Sequence, residues 1–421
     1  MQLASKEAAT VYVTDNIIGV LMCAPRSVLP WDIVVNREGN KLFFDKRDGG
    51  AFDTVTVNEN AADPPQDPLP PNPNNPTEKA PEAPSINSAT NLSLEATYIN
   101  QNFGFQTVIE KAPPPAVDFA KPNPFYGPEE TEPMASCGYR YRLYDLGVTE
   151  GEDIRLCVRT EVDAYTPGQG DPREGRGLVT IRALNEFDPR ATGAGGAPDW
   201  RTKLDTQRGA VVATEMKNNS CKLAKWAIQS ILAGAELMKI GCVFSLRRYR
   251  SWRCPLASDS DVGLSERMLA HHSHRYISRT SPRDNTRHVI LITASYRPLD
   301  FASQLNVSLA NGWGIVRAII DLCMKQPEGK YVLVRDPNKV HSRLALSPLL
   351  PRATHPGQSG RRPLGDVPTL ILPRHFLSSN GVNRLLTLCS DSRSSAFIPF
   401  LPMHLPRKRK MRVQKTSTNQ N

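Results

Sequence analysis

The 421-residue chain is 39% hydrophobic and 22% charged, long enough to bury a substantial core and too apolar to be disordered throughout. Its formal charge of +10 sits at one end: from His341 onward there are 13 Lys and Arg against Asp366 and Asp391, leaving 39 basic and 40 acidic residues before it. The high pI therefore does not mark residues 1–340 as a nucleic-acid binder, and any RNA site there must be local.

Eight cysteines scattered from Cys23 to Cys389, without a C-x-x-C pair, read as a reduced, intracellular chain without structural zinc. No apolar run approaches the roughly 18 residues of a membrane span, and MQLASKEAATVYV lacks the basic head and apolar core of a signal peptide. The expectation is a cytoplasmic protein with no membrane association.

In chain order, Thr14 or Asp15 is placed to cap a helix through NIIGVLM, which Pro25 ends. WDIVVN and KLFFDK flank a turn at Arg37–Asn40 as a hairpin, and DTVTVN at 53–58 alternates like a half-buried strand. Nine prolines fall between Pro64 and Pro84 among Asn, Asp and Glu, a composition that cannot bury a core, so residues 62–88 are expected to form a mobile flap. ATNLSLEATYINQNF returns to helical spacing and places Thr97, Asn100 and Gln101 on one polar face, which spacing alone reads as solvated. After a second proline-rich link come the strands CGYRYRLYDLG and DIRLCVRTEVDAY; in the latter Cys157, Arg159, Glu161 and Asp163 share a face. VTIRALNEFD gives another strand. RGAVVATEMK reads as a further one, putting Glu215 and Lys217 on a common face before the long apolar helix KLAKWAIQSILAGAELMKIG. HVILITASY reads as a strand, FASQLNVSLANGWGIVRAIIDLCMK as a helix and KYVLVRDPN as a closing strand. Strands and helices mix without a regular βαβ repeat, so the class is α+β, mixed sheets flanked by helices.

Glu161-x-Asp163 on one strand and Glu215-x-Lys217 on another would supply three carboxylates and a lysine, the set that metal-assisted cleavage of a phosphodiester or pyrophosphate uses. Exposed charges on amphipathic strands give the same pattern, so the motif alone leaves both readings open.

WDIVV, KLFFDKRD, EATYIN, PNPF, YRYR, LNEFD, DWRTKLD, QRGAVVATEMKNNSCKLAKW, RHVIL and FASQLN, in this order, resemble the C-terminal domain of the d-type subunit of eukaryotic translation initiation factor three. The resemblance covers about residues 8–242 and 275–340. It implies a domain, here residues 1–340, that recognises the 7-methylguanosine cap of mRNA within a complex that recruits mRNA to the small ribosomal subunit. Capped mRNA, the other subunits of that complex and the small ribosomal subunit are the implied partners. It also implies a fold similar to the decapping exoribonucleases, whose catalytic strands carry E-x-D and E-x-K pairs, with the proline-rich segment 62–88 as a gate. By resemblance the cap-binding positions are Asp15, Val28, Leu29, Thr97, Asn100 and Gln101; Leu29 replaces a usual tyrosine and Gln101 a usual histidine. In GYRYR, Arg142 stands where the enzymes place a further metal-binding glutamate, and a guanidinium repels a divalent cation. Glu161, Asp163, Glu215 and Lys217 are thus expected to be relics of an inactive site, Arg140 and Arg142 to be RNA contacts, and no cofactor or metal is expected. The alternatives are a metal-dependent decapping or RNA hydrolase, and a truncated scaffold subunit without cap binding.

The chain departs from the family in three ways. It begins at the cap-binding domain, without the family's N-terminal arm. Residues 243–274 interrupt what the family joins almost directly, and Arg247, Arg248, Arg250, Trp252, Arg253, His271, His272 and His274 within them are read as a solvated insert rather than an RNA or metal site. Residues 341–421, rich in proline, serine and arginine, replace an acidic tail with a basic, disordered one in which Arg407–Lys410 is the densest patch.

Overall fold

A computed structural model describes residues 8–27, 30–47, 52, 89–109, 117, 135, 137–185, 196, 198–203, 206–245, 276–278, 287–336, 343–348 and 369–371. Within them the apolar alternations become strands β1 (Val11–Thr14), β2 (Trp31–Glu38), β3 (Lys41–Asp45), β4 (Gly138–Asp145), β5 (Arg155–Val162), β6 (Ala164–Tyr165), β7 (Leu178–Asn185), β8 (Leu237–Ser245), β9 (Tyr276–Ser278), β10 (Arg287–Tyr296), β11 (Gly329–Asp336), β12 (Arg343–Pro348) and β13 (Thr369–Ile371). Seven described α-helices accompany them: α1 (Asp15–Met22), α2 (Ala89–Thr107), α3 (Trp200–Lys203), α4 (Arg208–Asn218), α5 (Ser220–Ala233), α6 (Pro298–Gln304) and α7 (Leu309–Met324).

Two sheets result. The larger runs β13-β12-β11-β2-β3-β1-β5-β4 and the smaller β6-β7-β8-β10-β9. β1 lies parallel to both β3 and β5, and β7 parallel to β8, while the other described pairs are antiparallel. Mixed sheets with helices against them make this the α+β fold that the element order implies.

The core follows from which faces are apolar. Val11, Val13, Ile33, Val35, Leu42, Phe44, Leu156 and Val158 line one face of the large sheet and bury against Ile17, Ile18 and Leu21 of α1, Ile228 and Leu232 of α5, and Trp313, Val316 and Ile320 of α7. A second cluster joins Leu184, Met238 and Ile240 of the small sheet to Leu223, Trp226 and Ala227 of α5, with Trp200, Val211 and Phe301. Helix α5 therefore buries two stripes, one against each sheet, which is why its sequence is apolar nearly all round. On the small sheet, Ile99 and Phe103 of α2 pack on Val179, Ile181, Ala183 and Ile290. Full burial of each such side chain stabilises by about 1.5–3 kcal/mol.

Several local expectations are corrected. RGAVVATEMK is helix α4 and not a strand, because Val211, Glu215 and Asn218, spaced at i, i+4 and i+7, are its buried residues. The long helix after it stops at Ala233: Gly234, at φ +66°, closes it in the left-handed conformation and frees Leu237–Ser245 to be β8. The late helix is two, α6 and α7, bent by 94° at a break where Asn306 takes φ +53°. Thr14 stands at the cap of α1 without a side-chain capping bond. Two segments of the expected disordered tail are strands, since the edge of β11 offers β12 a partner and β12 offers one to β13. No described helix is by itself long and apolar enough to cross a membrane, and the described cysteines are unbridged. The expected strand at 53–58, the gate at 62–88, the arginines, tryptophan and histidines of the insert, and Arg407–Lys410 lie outside the described residues.

Candidate functional site

Where the two sheets meet, three carboxylates converge. Asp15 follows directly on β1 and begins α1, and its buried Oδ2 accepts a hydrogen bond from the Glu161 amide at 3.1 Å, tying α1 to the carboxyl end of the parallel neighbour β5. β5 stops at Val162, and Asp163 carries the chain straight across into β6 of the other sheet, its own amide donating to Val179 O. Asp163 Oδ2 then accepts from the Ile181 amide at 2.6 Å and from Arg182 Nη1 at 2.7 Å, both on β7. Arg182 Nη1 also donates to Ile181 O at 2.8 Å, and the Cys137 thiol donates to Glu161 Oε1 at 2.9 Å. Of the three carboxylates Arg182 bonds Asp163, and its charge acts on Glu161 and Asp15 at longer range.

Burial dominates the electrostatics. It raises Asp15 to about 7, with the charge of Glu161 adding to the rise, and it raises Asp163 against the pull of Arg182. The Cys137 thiol is driven well up, first by burial and then by Glu161 and Asp163. Burial opposes the charge on Arg182, yet Asp163, Glu161, Asp15 and Cys137 together hold it above its ordinary value.

Helix α2 borders the same place. Its Thr97, Asn100 and Gln101 face is half-buried rather than solvated. β6 pairs with β7 at Leu178 and Val179, and among the described residues no strand continues along the next stretch of that β7 edge. Asn100 fills it: its Nδ2 donates to Ala183 O and its Oδ1 accepts from Ala183 N, both at 2.9 Å, so the carboxamide imitates a neighbouring strand. Thr97 Oγ1 donates to Ser93 O within the helix. Asn100 clamps Ala183 two residues along the β7 edge from the Ile181 amide that Asp163 binds, so the α2 clamp and Asp163 are neighbours on that edge. Val28 and Leu29 lie outside the described residues.

Glu215 and Lys217 stand apart from this junction. Two residues on a helix are about 200° apart, so Glu215 is buried while Lys217 is exposed. Glu215 Oε1 accepts from Trp200 Nε1 at 3.1 Å and Oε2 from Asn219 Nδ2 at 2.8 Å, which fastens α3 to the α4–α5 corner. Burial raises its carboxyl to about 7 against the pull of Trp200, Lys222 and Asn219. None of these partners belongs to the Asp15–Glu161–Asp163 set.

A pH dependence follows. Asp15 and Glu215 keep their protons in the folded chain up to about 7, whereas the unfolded chain releases them in the ordinary carboxylate range. The folded state binds more protons between those limits, so stability falls as pH rises through about 7. At constant ionic strength, the thermal midpoint is expected to be lower at about pH 8 than at about pH 5.5, with Glu215→Gln removing part of the difference. A midpoint that climbs over this window would contradict the assignment.

Arg140 and Arg142 take a third position. With Tyr144 they occupy one face of β4 and close the C-terminal end of α5: Arg140 Nη1 donates to Ala233 O at 2.8 Å, Arg142 Nη1 to Leu232 O at 2.8 Å and Tyr144 Oη to Leu232 O at 2.8 Å. Cationic donors on the last carbonyls of a helix satisfy its unpaired acceptors and its dipole together. Burial, then Arg142, draws Arg140 down to about 10. A Cβ at Gly175 or Gly234, both at positive φ, would strike the Arg140 guanidinium at 2.4 Å and 2.8 Å, so two glycine turns make its seat.

Sequence reasoning singled out Asp15, Glu161, Asp163 and Asn100; it did not single out Arg182 and Cys137, which the structure puts in hydrogen-bond contact with Asp163 and Glu161. Arg182 is one arginine in an apolar strand, and its only signal is that VTIRALN places a charge in an otherwise uncharged alternation.

Residues 1–249 and 274–344 match the family described as eukaryotic translation initiation factor 3 subunit 7 (eIF-3). The chain is 50% identical over 347 residues to the D subunit of eukaryotic translation initiation factor 3 from Mycosarcoma maydis, covering 82% of this chain and 52% of that protein. It is 45% identical over 349 residues to the protein of the same name from Schizosaccharomyces pombe, covering 82% and 53%. The chain thus spans about half the length of the curated relatives it matches. Among solved structures, Rai1 of Scheffersomyces stipitis superposes with a TM-score of 0.39 at 11% identity over 82% of this chain and 69% of that one. Dxo1 of K. lactis in complex with manganese gives 0.36 at 10% over 84% and 70%. Likeness of that degree carries no argument about chemistry.

Proposed function

This chain belongs to the eukaryotic translation initiation factor 3 subunit 7 family, and from that premise we propose that it acts in translation initiation by binding the 7-methylguanosine cap of mRNA and helping to bring that mRNA to the small ribosomal subunit. The observation that supports the reading is the run of bonds along one edge of β7: Asp163 accepts from the Ile181 amide, Asn100 of α2 clamps Ala183 two residues on, and Asp15 is bonded to the amide of Glu161, two residues before Asp163. A carboxyl beside polar amides suits a methylated guanine, whose ring is cationic and whose edge offers N–H donors. Val28 and Leu29 complete the proposed set. Its proposed partners are capped mRNA, the other subunits of the initiation factor complex and the small ribosomal subunit, in the cytoplasm.

The proposed role is non-enzymatic. Metal-assisted phosphoryl hydrolysis needs carboxylates and a lysine gathered at one place; here Glu215 is sealed against Trp200 and Asn219, and Lys217 is on the far side of α4. Arg140 and Arg142, engaged with α5, contribute to RNA binding by holding β4 and by their positive charge.

Crosslinking of the full chain to a capped RNA, with magnesium or manganese present, tests the reading. A crosslink competed by free cap analogue, with the RNA intact, is the expected result. Released cap or shortened RNA would establish a hydrolase instead, and a crosslink indifferent to cap analogue would favour a scaffold role.

A further inference from the structure

The junction of the two sheets has the composition of a divalent-cation site and the occupancy of something else. Carboxylate oxygens are the ligands that magnesium and manganese prefer, and Asp15, Glu161 and Asp163 supply three carboxylates on converging segments. By composition alone such a set would suit an ion. The residues present do not fit one. Asp163 Oδ2 is taken by Arg182 Nη1 and the Ile181 amide, Asp15 Oδ2 by the Glu161 amide, and Glu161 Oε1 by the Cys137 thiol. Among the described residues no group of three or more His, Cys, Asp and Glu side chains is set to hold a metal.

We propose that Arg182 is the resident cation of this junction: its guanidinium takes the Asp163 oxygen that a divalent ion would need and supplies the positive charge there, so magnesium and manganese are excluded.

Three observations support this. The Arg182 and Asp163 side chains are 16% and 13% exposed, so the pair is shielded from competing solvent ions. Arg182 Nη1 is fixed twice, by Asp163 and by Ile181 O, so the charge does not swing aside. Asp163 is also the residue at which the chain crosses between sheets, and a counter-charge there holds the crossing without a dissociable ion. A guanidinium is permanently charged, in contrast to a bound ion whose presence follows its concentration. The inference concerns the junction itself and stands or falls apart from capped-RNA binding.

The test is manganese binding to the full chain, followed by the electron paramagnetic resonance of free Mn²⁺ at about pH 8, above the value of about 7 that Asp15 reaches. Three proteins are compared: the parent, Arg182→Ala, and Arg182→Ala with Asp163→Asn. Arg182→Ala is expected to gain one site per chain, roughly tenfold or more tighter than any in the parent, and the double variant to lose it. Thermal midpoints provide a second readout, since an ion bound only by the folded state raises the midpoint with its concentration. That rise is expected in Arg182→Ala and not in the parent. Should Arg182→Ala fail to fold alone, manganese is expected to restore its fold. A parent that binds manganese as tightly as the variant, a folded variant that takes none, or an unfolded variant that manganese does not rescue would each overturn the proposal.

Discussion

Asp163→Ala is expected to destabilise the folded chain by about 3–5 kcal/mol, in the range that breaking one side of a buried ion pair produces. The substitution removes the acceptor for two donors, the Ile181 amide and Arg182 Nη1, and leaves a largely buried guanidinium without its closest counter-charge. Glu161 and Asp15 remain within electrostatic reach of Arg182, which places the effect toward the lower end of that range. Urea unfolding of Asp163→Ala, Arg182→Ala and the double variant would measure it. The double variant is expected to lose clearly less than the sum of the singles, because the second removal no longer strands a charge. A loss below about 1 kcal/mol for Asp163→Ala, or simple additivity, would mean that the pair does not hold the crossing between sheets.

Gly241→Val is expected to lower stability by about 1–3 kcal/mol or more and, with it, cap-dependent crosslinking. Gly241 lies on β8 beneath α2, and a Cβ built there would come within 2.5 Å of Phe103 Cε2 and 2.6 Å of Cζ. Phe103 is fully buried among Val179, Ile181 and Ala183, so its ring has no free volume into which to turn. Relief must come from lifting α2, and that helix carries Thr97, Asn100 and Gln101. The Asn100 clamp on Ala183, with two bonds at 2.9 Å, would stretch first. Gly241→Ala is expected to do the same to a smaller degree, and combining it with Phe103→Leu should recover part of the loss. An unchanged thermal midpoint in Gly241→Val would show that the sheet does not depend on this close approach.

Elements whose own pattern matches their burial were legible in the sequence. Trp31–Glu38 and Lys41–Asp45 alternate and become a hairpin with Gly39 at φ +57° in the turn. α1, α2, β4, β5, β7 and β11 likewise follow from period and composition. Three failures have physical causes. β1 is only four residues long and gains its place from parallel partners on both sides, a tertiary effect that a local pattern does not carry. VVATEM fits a strand by β-branched content, but Glu215 finds its partners only when the segment coils toward Trp200 and Asn219. ILAGAELMK runs apolar through Gly234, so the helix stop and the start of β8 read as one element.

At the site, the acidic residues were legible because Glu161-x-Asp163 is a recognisable pattern. Their neutralisation was not, since Arg182 lies 19 positions on and reaches them only through the crossing of β5 into the second sheet. Arg140 and Arg142 were legible as a basic pair, while their engagement with the end of α5 depends on a contact some 90 residues away.

That engagement binds an outer strand to an interior helix. Among the described strands β4 is the terminal one of the large sheet and pairs with β5 alone, so its backbone is the part of that edge most open to fraying. Arg140, Arg142 and Tyr144 nevertheless grip the last carbonyls of α5, the helix that both cores share. Peeling β4 away would uncap α5 and unsettle both cores at once. Local opening at this border is thereby converted into a cooperative event, and β4 inherits amide-exchange protection closer to that of the interior than its outlying place would suggest.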